Sequence, residues 1–341
     1  MKVYVGYATS LNYWLTRGMD EADRANVTHI TSLNNAAYKL VDLTGLDLDS
    51  HGLYASTARG WPERAYKGSK AKRPLPTGSA VHVLVPKKAC HERGEGFVRH
   101  CWTSHIPDGS FCAITRNVLV STPEFSFLQM AGLLSETQLI LVGYKMCAAY
   151  RIREDGVTIP VEPITSVSKL RSYLGKAEGC YGAKKAVRAL SWIVDKARSP
   201  MEVNTSMVVS LPRRLGGYGL GKPCINYVIE ASGYDAATLD RNDRKYFEID
   251  LYWPDKRVGL EYDGAGHLIA SQIRKDKRRL NCLLANGEKI LVAMIDQLTD
   301  EEYRNTLLHQ LAKLLGVRDV DCTSDARDAL LGLLFENEFS F

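Results

Sequence analysis

Apolar and polar positions change their period along the chain, and the changes mark its parts. "AVHVLVP", "FVRHCWTSHI" and "FCAITRNVLVS" alternate, so residues 80–121 read as a β-rich unit with three strands. Ahead of them, "THITSLNNAAYKLVDLTGL" has helical spacing and predicts a helix over Thr28–Leu43, with Gly45 as its stop. From Thr122 the spacing turns helical again in "TPEFSFLQMAGLLSETQLILVGYKMCAAY", with Thr122 as N-cap and Pro123 at the first helical position. "SVSKLRSYLGKAE" and "YGAKKAVRALSWIVDKA" predict two further helices. From Ser199 the order is helix, strand, hairpin, helix, strand, helix, which predicts an α/β domain. The pattern divides the chain into a mixed α/β module (1–121), a helical connector (122–198) and an α/β domain (199–341).

One hairpin breaks the apolar pattern. "EIDLYWPDKRVGLEYDGAGH" places Glu248, Asp250, Glu261 and Asp263 inside two strands that should be buried. If "PDKR" turns the chain, pairing is symmetric about Asp255 and Lys256. Trp253 then faces Val258, Asp250 faces Glu261 and Glu248 faces Asp263. Side chains alternate along a strand. Strict alternation therefore gathers Glu248, Asp250, Tyr252, Gly259, Glu261 and Asp263 on one face, and leaves Ile249, Leu251, Trp253, Val258, Leu260 and Tyr262 on the core face. Opposed Cβ atoms lie roughly 5 Å apart, and like charges at that spacing repel. A divalent cation relieves this, because hard ions such as Mg²⁺ take carboxylate oxygens. The competing reading is a solvated polar face paired with Lys and Arg, common in antiparallel hairpins. The next segment favours the cation: Gly264 and Gly266 allow a sharp exit, His267 follows, and a helix then carries Arg274, Lys275, Lys277, Arg278 and Arg279. Acids beside a basic helix suit a polyanion cleaved with metal assistance.

Composition narrows the class only a little. The chain has 341 residues, 45% apolar and 24% charged, with a net charge of +5, which permits an acidic partner without demanding one. The start lacks the basic-then-apolar order of a signal peptide, and the most apolar later stretch is broken by Gly143 and Lys145. A cytoplasmic protein without a membrane partner is therefore expected. The eight cysteines are scattered, which predicts mostly reduced thiols.

"EIDLYWPDKRVGLEYDGAGH" with "RKDKRRLNCLLANGEKILV" resembles the Vsr-like nuclease family, within the restriction-endonuclease-like, PD-(D/E)XK superfamily. The resemblance covers about Ser199–Gln297. It implies a mixed sheet flanked by helices and metal-dependent cleavage of DNA with Mg²⁺ or Mn²⁺. By analogy Asp250 and Glu261 are metal ligands. Asp263 stands where the superfamily has lysine, as a further ligand or a water-orienting acid, and His267 is the nearby histidine. Glu202, in "SPMEVN", matches a glutamate that the first helix of the domain often supplies. Ser199-x-x-Glu202 is equally a capping box. Arg274, Lys277 and Arg278 would meet phosphate, and His267, titrating near neutral pH, would move protons. More loosely, "SLNNAAYKLVDLTGL", "VHVLVP" and "VRHCWTSHIPDGSFCAITRNVLVSTPEFSFLQMAG" resemble AbiE-type antitoxin regulators, which implies nucleic-acid or partner binding and no catalytic residues.

Three other groupings carry less. Cys90, His91, His100, Cys101, His105 and Cys112 lie in one region but lack a C-x-x-C knuckle, so core cysteines outweigh zinc. "GGYGLG" lacks the spacing of a phosphate loop and reads as a flexible loop beside the cleft. Arg59, Arg64, Lys67, Lys70, Lys72 and Arg73, interleaved with Trp61 and Tyr66, read as a solvated loop. The expected activity is a metal-dependent DNA endonuclease, with RNA as substrate left open. The alternative is a non-catalytic nucleic-acid-binding regulator or antitoxin-like protein with a degenerate nuclease fold.

Overall fold

A computed structural model of the chain describes residues 1–36, 48, 53, 80–86, 96–153, 155–230, 246–264, 279–318 and 325–336. The fold is mixed α/β and falls into two compact units, Met1–Asp195 and Lys196–Glu336. Among the described residues no helix is long and apolar enough to cross a membrane.

In the first unit a six-stranded sheet has the order β2-β5-β6-β1-β3-β4, with β1 Val3–Val5, β2 Val27–Thr28, β3 Val81–Val85, β4 Phe97–Cys101, β5 Phe111–Ala113 and β6 Val118–Ser121, and β7 Tyr150–Ile152 pairs antiparallel with β8 Thr158–Pro160. β1 runs parallel to β6 and antiparallel to β3. Helix α1 (Tyr7–Arg17) leaves β1 through a sharp turn. Tyr7 holds a left-handed φ of 53°, and a Cβ on Gly6 would lie 2.2 Å from the Leu84 side chain. The turn is held by Gln129, whose Oε1 accepts the Tyr7 N–H at 2.7 Å. Gln129 stands on the helix Pro123–Ala131, which packs on α1 through Ser10 and Ser126, 2.7 Å apart.

Three expectations change here. The helix predicted from Thr28 does not form over its described part. A capping box at Asp20 and Asp23 starts a short helix, Glu21–Ala25, and Thr28 then pairs with Phe111 in the sheet. "FCAITRNVLVS" is two antiparallel strands, because the Thr115 hydroxyl accepts the N–H groups of Asn117 and Val118 and turns the chain. The connector is not separate. The helices Pro123–Ala131, Glu136–Cys147, Val167–Lys176 and Ala183–Leu190 belong to the first unit, since their apolar faces need one another and α1.

The second unit opens with the helix Pro200–Ser210, capped by Ser199, whose Oγ accepts the Glu202 N–H at 3.1 Å. Its four-stranded sheet has the order β12-β11-β10-β9, with β9 Cys224–Glu230, β10 Tyr246–Trp253, β11 Val258–Tyr262 and β12 Lys289–Ala293. β9, β10 and β11 pair antiparallel; β11 and β12 are parallel. The parallel pair requires a crossover, and helical residues 279–285 form its described end. Their Cys282 and Leu283 pack on Phe247, Ile249 and Tyr252.

The Gly-rich segment is packed structure, not a flexible loop. A Cβ on Gly217 would lie 2.0 Å from the Leu211 carbonyl, and Tyr218 is buried. The N–H groups of Tyr218, Gly219 and Leu220 bind the carbonyls of Val208, Leu211 and Val209. Arg327 donates to the Gly216 carbonyl at 2.7 Å and lies over the Tyr218 ring.

Candidate functional site

The hairpin turns as its symmetry requires. Pro254–Lys256 form one 3₁₀ turn, and Trp253 pairs with Val258, Tyr252 with Gly259 and Leu251 with Leu260. Arg257 closes the turn at a left-handed φ of 54°. Its guanidinium is held by Glu288, which also accepts the Tyr252 hydroxyl at 2.6 Å.

The regular ladder is interrupted at Asp250. On the β9 side, pairing runs to Ile249–Tyr227 and resumes at Leu251–Ile225, passing over Asp250 and Asn226. Asn226 has a left-handed φ of 51°, a conformation Asn tolerates better than most residues. On the β11 side, the Asp250 Oδ2 accepts the Tyr262 N–H at 2.8 Å, taking the place of a backbone partner. The kink changes the face assignment. Strict alternation separates Ile249 from Tyr252, yet both sit in one apolar cluster with Phe247. Tyr252 is therefore core and does not accompany the acids, of which Glu248 and Glu261 are partly exposed and paired with arginines.

Three of the expected acids meet at this kink: Asp250, Glu261 and Glu202. Burial pushes the Asp250 carboxyl up to about 6. The Tyr262 N–H opposes that rise, the charges of Glu202 and Glu261 add to it, and Arg279 opposes it. Glu202 is buried, and its Oε2 accepts the Arg198 N–H and the Asn226 Nδ2, both at 2.8 Å. Its N–H is the cap partner of Ser199, but its carboxylate reaches across to β9. Glu202 thus serves the cap and the acidic cluster together. Glu248 is drawn off by Arg198 at 2.5 Å. Glu261 is gripped by Arg279, whose Nη1 donates to Oε2 at 2.8 Å while Nη2 donates to Oε1. Nη2 also donates to the Glu248 carbonyl at 2.7 Å.

Asp263 does not join them. It is exposed past the end of β11, and its N–H donates to the Ala293 carbonyl. Among the described residues no three His, Cys, Asp or Glu side chains gather to hold an ion. Arg279 bridges the Glu261 carboxylate and the Glu248 carbonyl, and the charges of Glu261 and Arg279 both act on Asp250. Oxygens of these kinds fit a hard divalent cation, which takes one or two carboxylates and completes its shell with water and phosphate. His267, Arg274, Lys277 and Arg278 lie outside the described residues, as do Cys90, His91 and the basic loop at 59–73.

Arg279, Asn226 and Arg198 were not singled out from sequence as site residues. A polar Asn inside the apolar "INYVIE" was a usable signal for the kink. Arg279 was hidden in a run of basic residues. The zinc grouping disperses: His100 pairs with His82 at 2.9 Å, His105 binds the Lys176 carbonyl, and the Cys112 thiol meets the Asp23 carbonyl. No family model, curated protein or solved structure matches the chain.

Proposed function

We propose that the unit Lys196–Glu336 is a metal-dependent nuclease acting on DNA phosphodiesters. The observation that carries this reading is Asp250: a largely buried carboxylate at a break in the sheet, with Glu202 and Glu261 beside it and its pKa raised to about 6. Stability alone gives no reason to collect like charges there, and functional sites are where such pKa shifts concentrate. The mixed sheet with helices packed on it accords with the resemblance of "DLYWP…VGLEYDG" to Vsr-like nucleases.

Asp250 and Glu261 supply the anionic oxygens and the Glu248 carbonyl a neutral one. Glu202, fixed by Arg198 and Asn226, holds negative charge behind them. A bound Mg²⁺ or Mn²⁺ would polarise the phosphodiester and lower the pKa of a coordinated water. His267 would carry the proton to the leaving oxygen, and Arg274, Lys277 and Arg278 would hold the flanking phosphates.

A second reading has its own observation. Glu261 is neutralised by Arg279 within the protein, as in a binding module that keeps the fold and has lost the reaction. Incubation with supercoiled DNA, linear DNA and RNA, with Mg²⁺, Mn²⁺ or EDTA, separates the two. Cleavage that needs the metal and disappears in Asp250→Asn and Glu261→Gln supports the nuclease. Metal-independent binding without cleavage supports the module.

A further inference from the structure

The grip of Arg279 on Glu261 touches the oxygens a metal would need. Its two Nη groups reach both Glu261 carboxylate oxygens and the Glu248 carbonyl, and its charge acts on Asp250. Carboxylate and carbonyl oxygens are also the donors a hard cation selects. A bidentate guanidinium and a divalent ion compete for the same lone pairs and for the same negative charge. Both partners are largely withdrawn from solvent, at 29% and 17% side-chain exposure, so the pair is not a loosely held surface contact.

The geometry points to Arg279 as an internal cation that keeps the acidic site closed until a divalent ion displaces it. This rests on the nuclease reading of the same site and adds its regulation. While paired, the guanidinium neutralises Glu261 and lowers the repulsion around Asp250. Once displaced, it is a planar donor fork beside the metal, suited to a phosphate oxygen pair on the substrate. The metal-free protein is held by the ion pair, and the loaded site gains a phosphate ligand. Arg279 is therefore a positioning residue whose loss should tighten metal binding and not weaken it.

The test is Mn²⁺ titration by calorimetry on the full chain, comparing the natural protein with Arg279→Gln and Arg279→Lys. Removing a charge-assisted bidentate competitor should tighten Mn²⁺ binding by about tenfold or more in Arg279→Gln. Arg279→Lys, which keeps the charge and loses the fork, should fall between. In EDTA, Arg279→Gln should melt earlier than the natural protein. If Mn²⁺ binds the natural protein but binds Arg279→Gln equally or more weakly, the displacement idea is overturned and the metal site stands. If Mn²⁺ binds neither, the metal site falls and Arg279 with it. Should Arg279→Gln fail to fold, the natural protein still decides. Its Arg279 Nε–Hε resonance, assigned by its loss in Arg279→Lys, should move on Mg²⁺ addition and saturate with the metal. A resonance that stays in place while Mg²⁺ binds overturns the proposal.

Discussion

Two buried polar groupings, one in each unit, are built in opposite ways. In the first unit the network around Gln129 and His82 is neutral, and its members satisfy one another. Gln129 accepts from the Tyr7 N–H and donates to Ser121, Ser10 meets Ser126, and His82 meets His100. Burial pushes His82 down to about 4, so the ring is uncharged at neutral pH. In the second unit the carboxylates of Asp250, Glu202 and Glu261 gather at one break in the sheet, with Asp250 raised to about 6. A satisfied neutral network makes one arrangement unique. A cluster of like charges costs stability.

The largest effect should come from breaking the neutral network. Gln129→Leu leaves the buried Tyr7 N–H without its acceptor and removes the donor to Ser121. It also frees a turn that is held in a left-handed conformation. A loss of about 2–4 kcal/mol is expected, independent of pH between 5 and 8, measured by urea denaturation.

The contrast sharpens with pH, because the two units should respond with opposite sign. An unfolded histidine takes its proton near 6.5, whereas folded His82 does so near 4. The unfolded first unit therefore binds more protons across that window, and its stability falls as pH drops through it, by on the order of 3 kcal/mol. Asp250 reverses this. Its folded pKa of about 6 exceeds the ordinary 3.8, so the folded second unit holds the extra proton and gains stability as pH falls from 6 to 4. Above pH 6 the buried charge costs on the order of 3 kcal/mol. Asp250→Asn keeps an oxygen for the Tyr262 N–H and should recover most of that cost at pH 8 and almost none at pH 3.5. Hydrogen exchange at pH 7 and 5, corrected for intrinsic rates, should show protection falling in β1, β3 and β6 and rising in β9–β11. Parallel changes in both sheets would end the comparison.

Much of this was legible in the chain, and the gaps have physical causes. The turn symmetry of "PDKR" gave the Trp253–Val258 register, and Ser199 with Pro200 gave the start of the first helix of the second unit. Both signals are local. The kink at Asp250 depends on Asn226 in the neighbouring strand, so alternation read along one strand misplaces Tyr252. Asp263 keeps the right sequence spacing and still lies outside the cluster, because the ladder it was counted along is interrupted before reaching it. The grip of Arg279 on Glu261 joins a helix to a strand, and nothing in "RKDKRR" distinguishes that arginine from its neighbours. The helices after Thr122 were readable one by one, but their membership in the first unit follows from which apolar faces meet.

The smallest expected effect tests which part of a residue matters at the site. Arg198 makes two contacts of different kinds. Its guanidinium reaches Glu248 from a position 56% exposed, and its backbone N–H holds the buried Glu202 carboxylate. Exposed ion pairs contribute about 0–1 kcal/mol, and salt screens them. A side-chain substitution leaves the backbone donor in place. Arg198→Ala should therefore change stability by less than about 1 kcal/mol, with the difference vanishing at high salt. Asp250 should keep its titration near 6, because Glu202 stays where it is. Carboxyl-carbon NMR of Asp250 across pH 4–8 reads this directly. A titration displaced by a full unit in Arg198→Ala would mean that the guanidinium, and not the backbone, sets the field at the acidic cluster.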